Sequence, residues 1–420
     1  MPPSPATTLT LYFCGSGNNL SNEKANKFVV PHLVKIARGR HMGYSGPGGN
    51  ANGALVYRMN GNGTFYQDAQ GNKQMLGHDK VVTAIDGVSG KEHGAKPTKV
   101  KKSGYASAFG GGANAVIEAA LKYIANTVYK GDMHGGRTVD TINLVGHSRG
   151  ATTAILVAWG IWGLFKRVRP NLRVNMFLFD PVAGNYNEYE STYTVNGEKL
   201  AVELGAVPPC VRSFRALIAA NMSGKTAGVF AKDAQFQSSM PDVKNVDDVR
   251  VYVMPGGHNA ACKYNLKAGG SSIGEIGLAL AQDFLVARGS QFSSRYRMTP
   301  QMYVEWYCQS RLAEYNPDYA PHEGRSIDFA FYGKKGEGLV SPHRAKMVAT
   351  YSKTFGEHPF FVNDHHREMF AEAYPSFVAD VDAAKKRRID DSKLYMSGMT
   401  KRFEATYALL KQTGLVDEMA

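Results

Sequence analysis

The stretch Thr138-Val139-Asp140-Thr141-Ile142-Asn143-Leu144-Val145-Gly146-His147-Ser148-Arg149-Gly150-Ala151-Thr152-Thr153-Ala154-Ile155-Leu156-Val157 decides how the rest of the chain is read. Thr138–Val145 is a β-branched run and predicts a buried strand. Ala151–Phe165 predicts a helix directly after it. Between them lies Gly-x-Ser-x-Gly. A serine at the junction of a strand and a helix must take a strained, positive-φ turn for its oxygen to point away from the sheet. Gly146 and Gly150 keep neighbouring side chains from clashing in that turn. The dipole of the following helix then lies beneath a developing oxyanion. Ser148 is therefore the expected nucleophile, and Arg149 is expected to offer its backbone N–H to an oxyanion hole. His147 reads as a neighbour of the site, because the side chain next to the serine points away from it.

The five-residue pattern alone is weak evidence in a chain with 45 glycines,. Gly270-Ser271-Ser272-Ile273-Gly274 matches it too, but follows the polar stretch Lys263–Ala268. Only Ser148 has the strand and the helix around it.

Working outward, Thr8–Phe13, Arg173–Phe179, Val211–Ala219 and Asp248–Met254 read as further strands. Asn26–Ala37 and Ala113–Val128 read as helices, and His41–Gly53 as a glycine-rich loop. Strands alternating with helices predict an α/β fold with a mostly parallel central sheet flanked by helices. After about Ser272 the pattern changes: Ile273–Arg288, Pro300–Tyr315, Pro342–Thr354 and most of Asn363–Leu415 read as helices. The expected organisation is a catalytic domain over 1–275 and a helix-rich region over 276–420, which is a cap, a separate lobe or a module facing a membrane or partner.

In an α/β-hydrolase the acid and base follow the serine in that order, each after a strand end. Asp180 ends the strand before it and is followed by Pro181. It is the preferred acid over Asp242, Asp247 and Asp248, none of which ends a clear strand. Of the twelve histidines, His258 follows a strand and sits in Pro255-Gly256-Gly257-His258, which makes it the preferred base. His365 and His366 fall in the helical half. For the second oxyanion donor the candidates are Gly15 and Ser16 of Gly15-Ser16-Gly17, which is equally readable as an ordinary turn.

Composition limits the function classes. Lysine and arginine outnumber aspartate and glutamate 49 to 36, a net charge of +13 that favours an anionic partner,. The basic runs Lys96–Lys102 and Lys385–Arg388 read first as solvated surface. Zinc-like spacings and single-stranded-RNA signatures are missing, so nucleic acid is not expected. Cys14, Cys210, Cys262 and Cys308 are too far apart to suggest a disulfide framework or a metal site. No metal and no cofactor is expected. The start carries no positively charged side chain, and Leu9–Phe13 is too short for a signal core, so no classical leader is expected. Ala151–Phe165 is too short to span a bilayer.

Together the motifs resemble the bacterial lipase effectors delivered by type VI secretion systems. The match is to the branch whose hydrolase domain opens with a strand and an Asp-Gly-Thr-Gly-Asn-like turn, here Cys14-Gly15-Ser16-Gly17-Asn18-Asn19. Gly43-Tyr44-Ser45-Gly46-Pro47-Gly48 is similar to the family's second loop, and Ala113–Asp132 to the helix and turn before the serine. Phe179-Asp180-Pro181-Val182 and Met254-Pro255-Gly256-Gly257-His258 resemble its acid- and base-bearing segments. Cys14, Arg212-Ser213-Phe214 and Asn259-Ala260-Ala261 differ from the family pattern.

The resemblance spans roughly the first 275 residues. It implies an A-type phospholipase, an acyl-ester hydrolase acting on membrane glycerophospholipids with an antibacterial role. It also implies a cognate immunity protein and a secretion spike or adaptor as partners. The protein would be cytoplasmic in the producing cell, leave without a classical signal, and act at the membrane or periplasm of a target cell. A soluble esterase or thioesterase on a small substrate would use the same triad. A non-catalytic, degenerate hydrolase would keep the motifs without the activity.

Overall fold

The computed structural model describes residues 7–15, 28–44, 56–57, 84–85, 92–93, 113–133, 138–183, 191–195, 197–220, 239–255, 258, 262, 272–315, 350–351, 353–356 and 361–385. Seven strands form the main sheet: β1 (Thr8–Phe13), β2 (Arg40–Tyr44), β3 (Val56–Tyr57), β4 (Thr141–His147), β5 (Arg173–Phe179), β6 (Val211–Ala219) and β7 (Asp248–Met254). Their spatial order is β7-β6-β5-β4-β1-β2-β3. β1 runs parallel to β2 and β4, and β4 runs parallel to β5, while the two-residue β3 is antiparallel to β2. The helices are α1 (Val29–Ile36), α2 (Ala113–Met133), α3 (Arg149–Phe165), α4 (Ser272–Ala287), α5 (Pro300–Tyr315), α6 (Asp364–Ala373) and α7 (Pro375–Lys385). The protein is thus α/β, with a mostly parallel sheet flanked by helices.

The chain leaves β1 in two directions. Its next two strands, β2 and β3, are added on one side, and β4 to β7 on the other. Chain order therefore reverses between β1 and β4. In open parallel sheets this switch point leaves a crevice at the carboxyl ends of the strands, where ligands bind.

The chain divides into two compact units: Met1–Ala216 with Ala234–Val249 and Leu280–Arg295, and Leu217–Asp233 with Arg250–Ala279 and Tyr296–Ala420. In the first unit every residue of β1 and β4 is buried, as expected for strands covered on both faces,. Thr10, Asn143 and Asn175 form a polar row across β1, β4 and β5. Asn175 donates to Asn143 Oδ1 (2.8 Å), and Asn143 donates to Ser290 Oγ (2.9 Å) and to the Arg288 carbonyl (3.0 Å). The Thr10 and Ser290 hydroxyls lie 2.7 Å apart. The row pins the segment after α4 onto the three central strands.

At the amino end of β7, Asp248 pairs with Arg215 (2.7 Å) and with Arg288, which also donates to Ser213 Oγ (3.0 Å). Burial raises the Asp248 pKa, but the two guanidiniums outweigh it and hold the carboxyl below its ordinary value,.

In the second unit, α6 closes the open edge of β7. An edge strand presents unpaired N–H and C=O groups. His365 Nδ1 accepts from Val251 N–H (2.9 Å) and His366 Nε2 from Val253 N–H (2.8 Å). Asn363 Nδ2 donates to the Val251 carbonyl (3.0 Å), while its side-chain Oδ1 caps α6 by accepting from His366 N–H (3.1 Å). Both imidazoles act as acceptors here, which requires their neutral forms. Behind them, the rings of Phe361, Phe370 and Phe377 pack together, and Tyr307 lies against His366.

Most strand expectations hold to the residue. One reading needs correction, and two details were not foreseen. His41–Tyr44 is not loop but most of β2: backbone pairing with β1 outweighs the weak strand preference of Gly43,. The hairpin Thr192–Val195/Glu198–Ala201 was not expected. The helical stretch from Asn363 breaks at Tyr374, because Pro375 disfavours helix in the residue before it,. Of Pro342–Thr354, the described residues 350, 351, 353 and 354 are helical. The basic run at 96–102 and everything after residue 385 lie outside the described residues.

Two outcomes follow from these contacts. His366→Phe leaves the Val253 amide buried without an acceptor and should destabilise the second unit by about 2 kcal/mol, read as a lower denaturation midpoint and faster amide exchange at Val253. In the first unit, burial and then Lys35 push His32 on α1 down to about 4 from an ordinary 6.5. A histidine with a depressed folded-state pKa contributes stability above its unfolded value and loses it as pH falls. Melting temperature should therefore drop between about pH 6.5 and about pH 4, and drop less in His32→Gln.

Candidate active site

β4 delivers Ser148 to the switch point. Its amide donates to the Phe179 carbonyl (2.9 Å), extending the β4–β5 ladder one residue beyond the strand. The chain then turns sharply: Ser148 has φ 56° and ψ −124°, and α3 begins at Arg149. The Ser148 carbonyl accepts from Ala151 (3.0 Å) and Thr152 (3.2 Å), whereas its side chain makes no cap bond to the helix. The hydroxyl is thus not consumed in starting α3.

The glycines of the motif are demanded by close approach. A Cβ at Gly146 would stand 2.5 Å from Ala151 Cα, and one at Gly150 would overlap the Phe13 carbonyl oxygen. The carboxyl end of β1 therefore lies directly against the turn. Beyond it, a Cβ on Gly15 would collide with the His147 ring. His147 is itself stacked on Phe28, with ring centroids 5.8 Å apart. The Gly15 backbone accordingly sits beside the elbow. Ser16 lies outside the described residues. Arg149 opens α3, so its N–H belongs to a helix amino end, which favours negative charge,. Its side chain is buried.

Asp180 follows β5 as expected and is only 1% exposed. Its φ is 39°. Ser148 and Asp180 are the two non-glycine residues with positive φ among the described residues. They stand at the ends of adjacent strands. Each such conformation costs about 1–3 kcal/mol and persists where the surroundings over-determine it. Backbone hydrogen bonds on both sides of Asp180 reach Ser148: the Ser148 amide to Phe179, and the Val182 amide to the Ser148 carbonyl (3.3 Å).

The other aspartates are placed differently. Asp248 stands at the amino end of its strand and is held by two arginines. Asp242 is tied to Lys244, and Asp247 is exposed near Arg212. Strand position thus separates Asp180 from all three.

His258 belongs to the second unit, four residues after the end of β7, and is buried at 9% exposure. Its neighbours at 256, 257 and 259–261 lie outside the described residues. His365 and His366, in the same unit, are occupied at the β7 edge. Ser272 of the second Gly-x-Ser-x-Gly match opens α4, and residues 263–271 before it are outside the described set.

Sequence reasoning missed Ser239. Its amide donates to the Pro181 carbonyl (2.7 Å), and its hydroxyl accepts from the Ala183 amide (2.6 Å). No pattern around Ser239 points to this.

None of the four cysteines forms a disulfide, and all are buried. Burial pushes the Cys14 thiol, next to Gly15, far above its ordinary range. Among the described residues, no group of three or more His, Cys, Asp or Glu side chains could hold a metal ion. Among the same residues, no helix is long and apolar enough to cross a membrane.

No protein-family model and no curated protein matches the sequence. One similar solved structure is an uncharacterized protein from Pseudomonas aeruginosa, with a TM-score of 0.38 and 13% identity over 97% of this chain and 63% of that one. Another is the Tle1 effector bound to the VgrG spike from the type 6 secretion system, with a TM-score of 0.28 and 16% identity over 63% of this chain and 52% of that one. The chain spans less than two thirds of the length of either.

Gly150→Ala drives a methyl group into the end of β1. It should cost about 3 kcal/mol, seen as a lowered denaturation midpoint or loss of soluble protein.

Proposed function

We propose that the chain is a serine hydrolase of the α/β-hydrolase type that cleaves acyl ester bonds of membrane glycerophospholipids. The observation that carries this reading is the pair of strained residues, Ser148 and Asp180, at the ends of adjacent strands beside the switch point.

In this mechanism His258 takes the proton of Ser148 as its oxygen attacks the ester carbonyl. Asp180 orients the imidazole and stabilises the imidazolium. The negative charge on the former carbonyl oxygen is held by the Arg149 N–H and by an N–H from Gly15 or Ser16. His258 then protonates the departing lysophospholipid alcohol. Water, deprotonated by His258, releases the fatty acid and restores the serine. No metal or cofactor is needed for either half.

The basic charge suits an anionic bilayer, where each lysine or arginine near the surface contributes about 1 kcal/mol. Residues 1–275 would carry the chemistry, and 276–420 would serve as a cap or a partner-facing region. The biological role we propose is an antibacterial effector of type VI secretion, carried by a spike or adaptor and neutralised in the producer by an immunity protein. It would be made in the cytoplasm, leave without a classical leader, and act at the target cell's membrane or periplasm.

The test is fluorophosphonate labelling together with fatty acid release from phosphatidylethanolamine/phosphatidylglycerol liposomes. Wild type should label and release fatty acid. Ser148→Ala should not label, and should lose at least about a thousandfold in rate. Turnover of short soluble esters with no liposome activity would replace the lipid substrate by a small one. Folded wild type that neither labels nor turns over any ester would overturn the hydrolase reading.

A further inference from the structure

We infer that Ser239 is a positioning residue for catalysis, which holds the Asp180 carboxylate in the orientation the histidine needs. The inference rests on Asp180 being the acid of the triad.

A residue at φ 39° does not hold that conformation by its own preference,. Both flanks of Asp180 must be pinned. On the upstream side, the Phe179 carbonyl is held by the Ser148 amide. On the downstream side, Pro181 has no N–H and contributes only its carbonyl. Among the described residues three hydrogen bonds hold that side, and Ser239 makes two of them. Its amide takes the Pro181 carbonyl at 2.7 Å, and its hydroxyl accepts the Ala183 amide at 2.6 Å. The third runs from the Val182 amide to the Ser148 carbonyl, at a longer 3.3 Å.

Ser239 is 5% exposed and Ala183 1%, so water does not readily replace the hydroxyl. Removing Oγ leaves a buried amide without its acceptor, and the turn relaxes to recover one. Such a shift rotates the Cα–Cβ bond of Asp180. A carboxylate directs an imidazole only within about 0.5 Å and 10–20° of the productive geometry. The serine thus acts at a distance, through the backbone that carries the acid.

A purely structural staple would lower stability and nothing else. A positioning residue changes turnover, and does so only while the acid is present. Ser239→Ala should therefore lower kcat by about tenfold to a hundredfold, with KM changed less than about twofold. Rates are normalised to active sites counted by fluorophosphonate, so loss of folded protein does not enter. Ser239→Thr, which keeps the hydroxyl, should recover most of the activity. Ser239→Cys, close in size but a weak acceptor, should resemble Ser239→Ala. In an Asp180→Ala background, Ser239→Ala should cost less than about twofold more.

An unchanged kcat in Ser239→Ala or Ser239→Cys, or an equal loss with and without Asp180, would overturn the inference while leaving the hydrolase reading intact. Wild-type activity in Asp180→Ala would remove Asp180 from the triad and the inference with it. An inert, folded wild type would overturn both.

Discussion

The hydrogen bond from the Ser148 amide to the Phe179 carbonyl is the contact on which the candidate site depends. It is the last rung of the β4–β5 ladder, one position past His147↔Phe179. Immediately beyond it both strands abandon extended geometry: β4 at Ser148, β5 at Asp180. The regular ladder brings the two strand ends into register, and the shared rung holds them there while each turns. A slip of one residue in β4 against β5 would separate the turns and send the side chains of β4 to the opposite face. The polar row of Thr10, Asn143 and Asn175 guards against such a slip. It matches only in the observed register, and a shift would leave buried amide groups without partners,.

The two ends of the sheet are built for different purposes. At the amino end of β7, Asp248 pairs with both Arg215 and Arg288, and Arg288 lies 4.1 Å over the Phe284 ring. These charges are committed to holding β6, β7 and the end of α4. At the carboxyl ends of β1 and β4, by contrast, the arrangement consists of backbone amides, glycines forced by close approach, and a helix amino end. Such groups present fixed dipoles without reorganising, which is what an oxyanion requires. Aspartates occur at both ends: Asp248 is held by two arginines at one, and Asp180 takes a positive φ at the other.

How much of this was legible in the sequence depended on burial. β1, β5, β6 and β7 read to the residue, because their β-branched and apolar residues form short runs with polar turns beside them,. The turn at Ser148 was legible because the strand before it and the helix after it were equally plain. β2 was missed because Gly43 and the glycines after it look like loop, whereas pairing with the core strand β1 decides its conformation. The hairpin at 192–201 was missed although its signal was present: alternating Thr192-Tyr193-Thr194-Val195 runs into Asn196-Gly197, and Gly197 has φ 86°,. His365 and His366 read only as histidines of the helical half. Nothing in their residue type shows that the lone pairs of both rings are taken by strand amides. Ser239 lies 56 residues from the amide it accepts, and such a contact exists only in the fold.

The energetics explain why so many bonds gather at the Asp180 turn. Two left-handed residues cost about 1–3 kcal/mol each, while a hydrogen bond returns about 0.5–1.5 kcal/mol net. One bond does not hold either turn. Four bonds, from Ser148, Val182, Ser239 and Ala183, are of the size needed to offset both. With the two sums so close, removing one bond shifts the balance at the turn without threatening the sheet, whose core strands remain paired. The local geometry is the part of the structure most sensitive to each contact around it. That sensitivity is what allows a serine distant in sequence to govern the direction of a carboxylate it does not touch through its side chain.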